Sequence, residues 1–123
     1  PKVIDKMILI TQLIYIIDGQ EKVFEEFESI AIPIILKHSG RLLLRIRPTE
    51  DSVIESHIDK PYEIHLVEFQ TPQDFDCFVK DEERKKFLHL KEKSVKNTIL
   101  IQEVNYDNKF PKRLRTADKK YTD

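Results

Sequence analysis

Four polar side chains interrupt stretches that are otherwise apolar. Gln12 lies within Met-Ile-Leu-Ile-Thr-Gln-Leu-Ile-Tyr-Ile-Ile, Arg45 and Arg47 within Arg-Leu-Leu-Leu-Arg-Ile-Arg, and Glu68 within Glu-Ile-His-Leu-Val-Glu-Phe. An arginine held among apolar neighbours presents a planar fork that orients a carboxylate or an enolate. A carboxyl group raised in pKa by burial beside it is a candidate base. If Ile64, Leu66 and Glu68 share one interior face, Glu68 meets Arg45 across two strands and forms a charged floor in a hydrophobic cleft. The plainer alternative is a structural ion pair, or a bridge that registers a dimer. His65 has the chemistry of a general base or a haem ligand, although such a residue is more often a hydrogen-bonded core histidine. Tyr15 and Tyr62 stand near strand ends, where a phenol lines a pocket mouth or packs at an edge. The candidate catalytic residues are therefore Glu68, His65 and Arg45. The candidate ligand-binding residues are Gln12, Arg45, Arg47, Glu68, Tyr15 and Tyr62.

Other chemistries are weakly supported. His38, His57, His65 and His89 lack the close spacing of metal-ligand motifs, so neither a metal nor a cofactor is expected. The single cysteine, Cys77, excludes an intramolecular disulfide and reads as a small core filler. Gly19 and Gly40 are the only glycines, too few for a phosphate-cradling loop. Twenty-one basic and 22 acidic residues leave a net charge of −1, which gives no global field for nucleic acid or an anionic membrane. No apolar run approaches the roughly 18 residues of a membrane span, and no signal-peptide pattern is present, so a cytoplasmic protein is expected.

Alternation and turn signals place these residues on elements. Met7 to Ile17 is rich in β-branched residues and ends at Asp18-Gly19, which marks a strand and a turn. Val23, Phe24, Phe27, Ile30, Ala31, Ile34 and Ile35 then recur at helical steps, with Glu21, Glu25, Glu26 and Glu28 on the other face. Pro33 within this pattern predicts a kink or break near Ser29 to Ile32, and Gly40 suits a left-handed cap. A second strand runs from Arg41 to Arg47, with Leu42, Leu44 and Ile46 on one face. A long loop follows with room for one helical turn, then a third strand from Glu63 to Phe69. Thr71-Pro72 opens a helical stretch by an N-cap and a first-turn proline, broken near Lys80 to Glu83. A fourth strand covers Asn97 to Tyr106.

The order strand, helix, strand, strand, helix, strand predicts an α+β fold of the ferredoxin-like split βαβ type (βαββαβ) over residues 1–106. Its four-stranded antiparallel sheet carries both helices on one face. A basic tail of residues 107–123 follows, either flexible or packed on a partner. In the first strand Met7, Leu9 and Leu13 alternate with Ile8, Ile10 and Ile14, so both faces are apolar. A sheet face left to water reads polar at every second position. A second copy placed sheet to sheet is the smallest cover, which predicts a homodimer.

The segments Ile32-Pro33-Ile34-Ile35-Leu36-Lys37-His38-Ser39-Gly40-Arg41-Leu42-Leu43-Leu44-Arg45, Lys60-Pro61-Tyr62-Glu63-Ile64-His65-Leu66-Val67-Glu68-Phe69 and Thr71-Pro72-Gln73-Asp74-Phe75 resemble the dimeric α/β-barrel superfamily. The branch resembled is the domain of unknown function numbered thirteen-thirty. The resemblance covers residues 7 to 104 and implies a dimeric α/β barrel without an assigned reaction. The expected function is binding of a small organic molecule in a cleft of the homodimer. Two alternatives stay open: a cofactor-independent, monooxygenase- or isomerase-like enzyme using Arg45 with Glu68 or His65, and an interaction module acting through the basic tail.

Overall fold

A computed structural model describes residues 6–105. The chain runs β1 (Met7–Ile16), α1 (Glu21–Lys37), β2 (Gly40–Ile46), a 3₁₀ turn (Glu50–Ser52), β3 (Glu63–Phe69), α2 (Pro72–Val79), α3 (Glu82–Lys86), α4 (Leu88–Ser94) and β4 (Val95–Asn105). The strands form one antiparallel sheet in the order β2-β3-β1-β4, and the helices pack on one of its faces. This is the ferredoxin-like arrangement that the element order predicts. The tail of residues 107–123 lies outside the described residues.

Central β1 is buried at its start on both sides, with Met7 and Leu9 as well as Ile8 and Ile10 withdrawn from water. On the helix face Ile8, Ile10, Val67 and Phe69 pack with Ile35 of α1, and Phe75 and Phe78 of α2 close over them. Phe69 meets both aromatic rings at centroid distances of 5.4 and 5.5 Å.

Several local expectations are corrected. Helix α1 runs unbroken through Pro33. The proline is exposed, so its ring meets solvent, and the one backbone hydrogen bond it removes is outweighed by the packing of Phe27, Ala31, Ile34 and Ile35. The left-handed residue after α1 is Ser39, with φ 59°, while Gly40 already belongs to β2. A Cβ at Gly40 would stand 2.5 Å from Phe69 Cε1 and 2.7 Å from Ile35 Cγ2, so its missing side chain admits strand and helix into contact. The second helical stretch breaks twice rather than once, at Lys80-Asp81 and again at Phe87. Asp81 caps α3 by accepting from the backbone N–H groups of Glu83 and Arg84. Cys77 is exposed, not a core filler.

The most consequential departure is in β2. Leu42 pairs with Val67 but Leu44 pairs with Leu66, so one extra residue bulges from the strand. The bulge reverses the alternation after Leu43. Leu42 and Arg45 share the helix face, while Leu44 and Ile46 turn to the opposite one.

Replacing Gly40 by Ala should lower stability by about 1–3 kcal/mol through overpacking against Phe69 and Ile35. Urea unfolding measures it; an unchanged midpoint would mean that the helix and strand yield freely at this point.

Candidate functional site

The strand registers set a transverse polar row into an apolar sheet. Arg45 stands beside His65, and His65 beside Gln12, on three adjacent strands. One step along the strands, Glu63 neighbours Ile14. Because paired residues share a face, this row looks toward the helices.

Glu63 is the hub of the row. It is only 1% exposed, and its Oε1 accepts from Arg45 Nε at 2.8 Å and lies 2.7 Å from His65 Nε2. Its Oε2 accepts from Arg45 Nη2 at 3.1 Å and from Arg47 Nη2. Glu25 on α1 reaches the same two arginines, lying 3.1 and 3.2 Å from Arg45 Nη2. Two carboxylates thus answer two guanidinium groups and tie helix α1 to the outer half of the sheet. The Arg47 guanidinium also stacks 4.5 Å above the Tyr62 ring, which meets Phe24 edge-on. Burial alone would raise the Glu63 carboxyl, but hydrogen bonds from His65, Arg45 and Arg47 outweigh it and hold its pKa at about 2.

Beside this network lies a cavity of about 60 Å³ between the sheet and the helices. Its apolar wall includes Ile10, Phe24, Phe27, Val67, Phe75 and Phe78, and its polar lining includes Gln12, Glu28, His65 and Thr98. Burial pushes the Glu28 carboxyl up, against the opposing attraction of His65 and Arg45, and so favours its neutral form. With Nε2 of His65 engaged by Glu63, Nδ1 is the ring nitrogen left for another partner. A carboxyl, an imidazole and an amide against an aromatic wall suit a small molecule with an apolar body and one or two polar atoms.

The proposed residues divide accordingly. Gln12 and His65 line the cavity. Arg45 and Arg47 lie beside it but are engaged by Glu25 and Glu63. Glu68 does not meet Arg45; it lies on the opposite sheet face, paired with Arg41 across the strands and 3.8 Å from its Nη2. The register puts Glu68 opposite Arg41, four residues from Arg45, and the β2 bulge sends Arg45 to the helix side. Tyr62 packs under Arg47, and the Tyr15 hydroxyl donates to the Asp59 carbonyl at 2.7 Å, so neither phenol lines this cavity. Two members went unrecognised in the sequence. Glu63 was legible as the charged residue opening an apolar alternation, and Glu28 stands on the stripe Phe24, Ala31, Ile35 at helical spacing. Among the described residues no cluster of three or more His, Cys, Asp or Glu is placed to hold a metal, and no helix is long and apolar enough to cross a membrane.

No protein-family model matches the chain. No curated protein matches it either. Solved structures do. A protein of unknown function from Rhodopseudomonas palustris superposes with a TM-score of 0.68 at 10% identity, over 80% of this chain and 82% of that one. A DABB-family protein with a ferredoxin-like fold from Mesorhizobium loti gives 0.60 at 15% identity, over 81% and 97%. A dimeric protein of unknown function and ferredoxin-like fold from Bacteroides fragilis gives 0.58 at 10% identity, over 79% and 94%. At such identities the likeness establishes the ferredoxin-like fold and nothing finer.

The low pKa of Glu63 ties stability to pH with a definite sign. Its ionised form is favoured by folding, so its contribution is complete above about 4.5, the ordinary value, and is lost as pH falls toward about 2. Chemical denaturation between pH 5 and pH 2 should show a loss on the order of 3 kcal/mol that Glu63→Gln lacks. Parallel pH profiles for the two proteins would remove Glu63 from this role.

Proposed function

We propose that this protein binds a small organic molecule in the cavity between its sheet and its helices, and that it works as a homodimer of the dimeric α/β-barrel type, near the branch numbered thirteen-thirty. The observation that carries the binding reading is the cavity itself, an aromatic chamber into which Gln12, Glu28 and His65 converge. The dimer reading is supported by the other sheet face. Leu44, Ile46, Ile99 and Ile101 are 39 to 50% exposed there, and Leu13, Ile64 and Leu66 are half-buried beside them. A second copy on a two-fold axis covers such a face with its own equivalent. The Bacteroides fragilis neighbour of the same fold is described as dimeric.

A second reading, an enzyme without a bound cofactor, is favoured by one observation. His65, oriented by Glu63, and Glu28, whose carboxyl burial pushes up, line the same chamber, an arrangement that suits a base and an acid. In this reading His65 takes the proton, while Glu68 and Arg45 have no part in it.

Titration with the neutral probes acetophenone and indole, followed by amide chemical shifts, should give saturable changes at Gln12, Ala31 and His65. Ala31→Leu, which fills the inner chamber, should abolish the change at His65; the absence of saturable shifts in the wild type would overturn the binding reading. Spectra of acetophenone in deuterated buffer separate binding from turnover, since exchange of its methyl protons that is lost in His65→Gln would mark catalysis. Sedimentation should show a dimer at micromolar concentration that Leu44→Lys with Ile101→Lys converts to monomer, whereas a monomeric wild type would refute the dimer.

A further inference from the structure

The cavity opens outward into a groove of about 360 Å³, and the two share Gln12, Phe75, Phe78, Arg84 and Lys91. The inner chamber is smaller than the roughly 150 Å³ that holds a benzene molecule, so the body of a ring-sized ligand rests in the outer part. That part is mainly apolar, with Val79, Leu88 and Leu100 beside the two phenylalanines, and Lys80 and Lys85 also line it. Arg84 and Lys91 therefore stand at the threshold between a small polar-lined chamber and a wider apolar groove.

These two cations are poorly satisfied. Arg84 Nε is buried without a hydrogen-bond partner, and it is the only such buried side-chain nitrogen or oxygen among the described residues. The rest of the guanidinium is positioned. Its Nη1 donates to the Val79 carbonyl at 3.2 Å, and its Cζ lies 5.0 Å from the Phe78 ring centre and 5.9 Å from that of Phe27. The Asp81 cap holds the first turn of α3, and with it Arg84, in place. Neither Arg84 nor Lys91 has an ion-pair partner within 4 Å among the described residues. Burial lowers the pKa of both, and their mutual repulsion adds to the effect at Lys91. Glu28 attracts both from a distance, as Asp81 does Arg84 and Glu92 does Lys91, but none of these carboxylates comes within ion-pair distance of either cation. Buried donors are satisfied in the great majority of proteins, and an orphaned one beside an unmatched like charge calls for a partner.

We infer that the ligand is a monocarboxylate with an apolar body of about one ring, its carboxylate received by the Arg84 guanidinium and the Lys91 ammonium and its body lying between Phe75, Phe78 and Leu100. The inference rests on the cavity reading above and adds the charge and orientation of the ligand to it. A carboxylate accepts from a guanidinium and an ammonium together and offsets one of the two positive charges at the threshold. The apolar groove then excludes small hydrophilic anions, which gain nothing from Phe75 and Leu100.

The test compares phenylacetate and hexanoate with 2-phenylethanol and hexanol, and with phenethylamine, on the full chain by amide chemical shifts and calorimetry. Charge-assisted hydrogen bonds predict that the carboxylates bind at least about tenfold more tightly than the alcohols, and the amine not at all. Lys91→Met and Arg84→Met should each remove that advantage, and Lys91→Arg should retain it. Should Arg84→Met fail to fold, the contrast between Lys91→Met and Lys91→Arg decides alone. Alcohols binding as tightly as carboxylates would overturn the carboxylate assignment and leave the cavity reading standing. A carboxylate advantage that survives in Lys91→Met would overturn the assignment as well. Failure of every probe to bind at millimolar concentration would overturn both readings.

Discussion

The Glu63 carboxylate, almost wholly withdrawn from water, is the charge around which one end of this molecule is organised. An isolated carboxylate in that position would be strongly disfavoured, since its solvation must be replaced group by group. The replacement comes from Arg45 of β2 and Arg47 just beyond it, and from its own strand, through His65. Glu25 on α1 balances the second arginine charge and carries the network to the helix layer. The network thus fixes three things together: the register of β2 on β3, the seat of α1 on the sheet, and the ring orientation of His65. Its charges cancel, so the arginines that look most available for a ligand in the sequence are already engaged.

That cancellation shifts attention along the sheet to a place where charge is unbalanced. The chamber beside Gln12 and His65 is bounded by Glu28 on α1 and, at its mouth, by Arg84 and Lys91 from the broken second helical stretch. The two breaks in that stretch matter here. Asp81 stops α2 and starts α3, and Phe87 turns the chain again into α4, so that residues seven apart, Arg84 and Lys91, reach the same opening from two short helices. One end of the helix layer is therefore electrostatically closed and the other open. A ligand site that needs orientation as well as burial finds both within one chamber and its groove.

The two faces of the sheet do different work. The helix face buries the core and shapes the chamber. The opposite face remains apolar yet part-exposed at Leu44, Ile46, Ile99 and Ile101. The β2 bulge serves both: a single extra residue turns Arg45 toward the helices and leaves Leu44 and Ile46 on the face proposed to meet a second copy. Without it, Leu44 would face the core and Arg45 would stand among the aliphatic side chains of the other face.

The sequence by itself determined the order of strands and helical stretches and the sheet topology, because hydrophobic period and turn residues are local signals that tertiary contacts reinforced. It also marked Thr71 and Pro72 as a helix start, and Gln12 and His65 as polar residues worth following. It left undecided who meets whom. The pairing of Arg45 with Glu63 rather than Glu68 depends on a bulge for which the run Leu42-Leu43-Leu44 carries no sign, since three leucines alternate equally well in either phase. Gly40 read as a helix cap because a glycine after a helix usually is one; only the packed structure shows Phe69 and Ile35 occupying the space of its missing side chain. Glu28, Arg84 and Lys91 come together from separate helices, and such a meeting is written in no single stretch of chain. Period and propensity act between near neighbours, whereas a binding site is a matter of distances across the fold, and those only the tertiary structure sets.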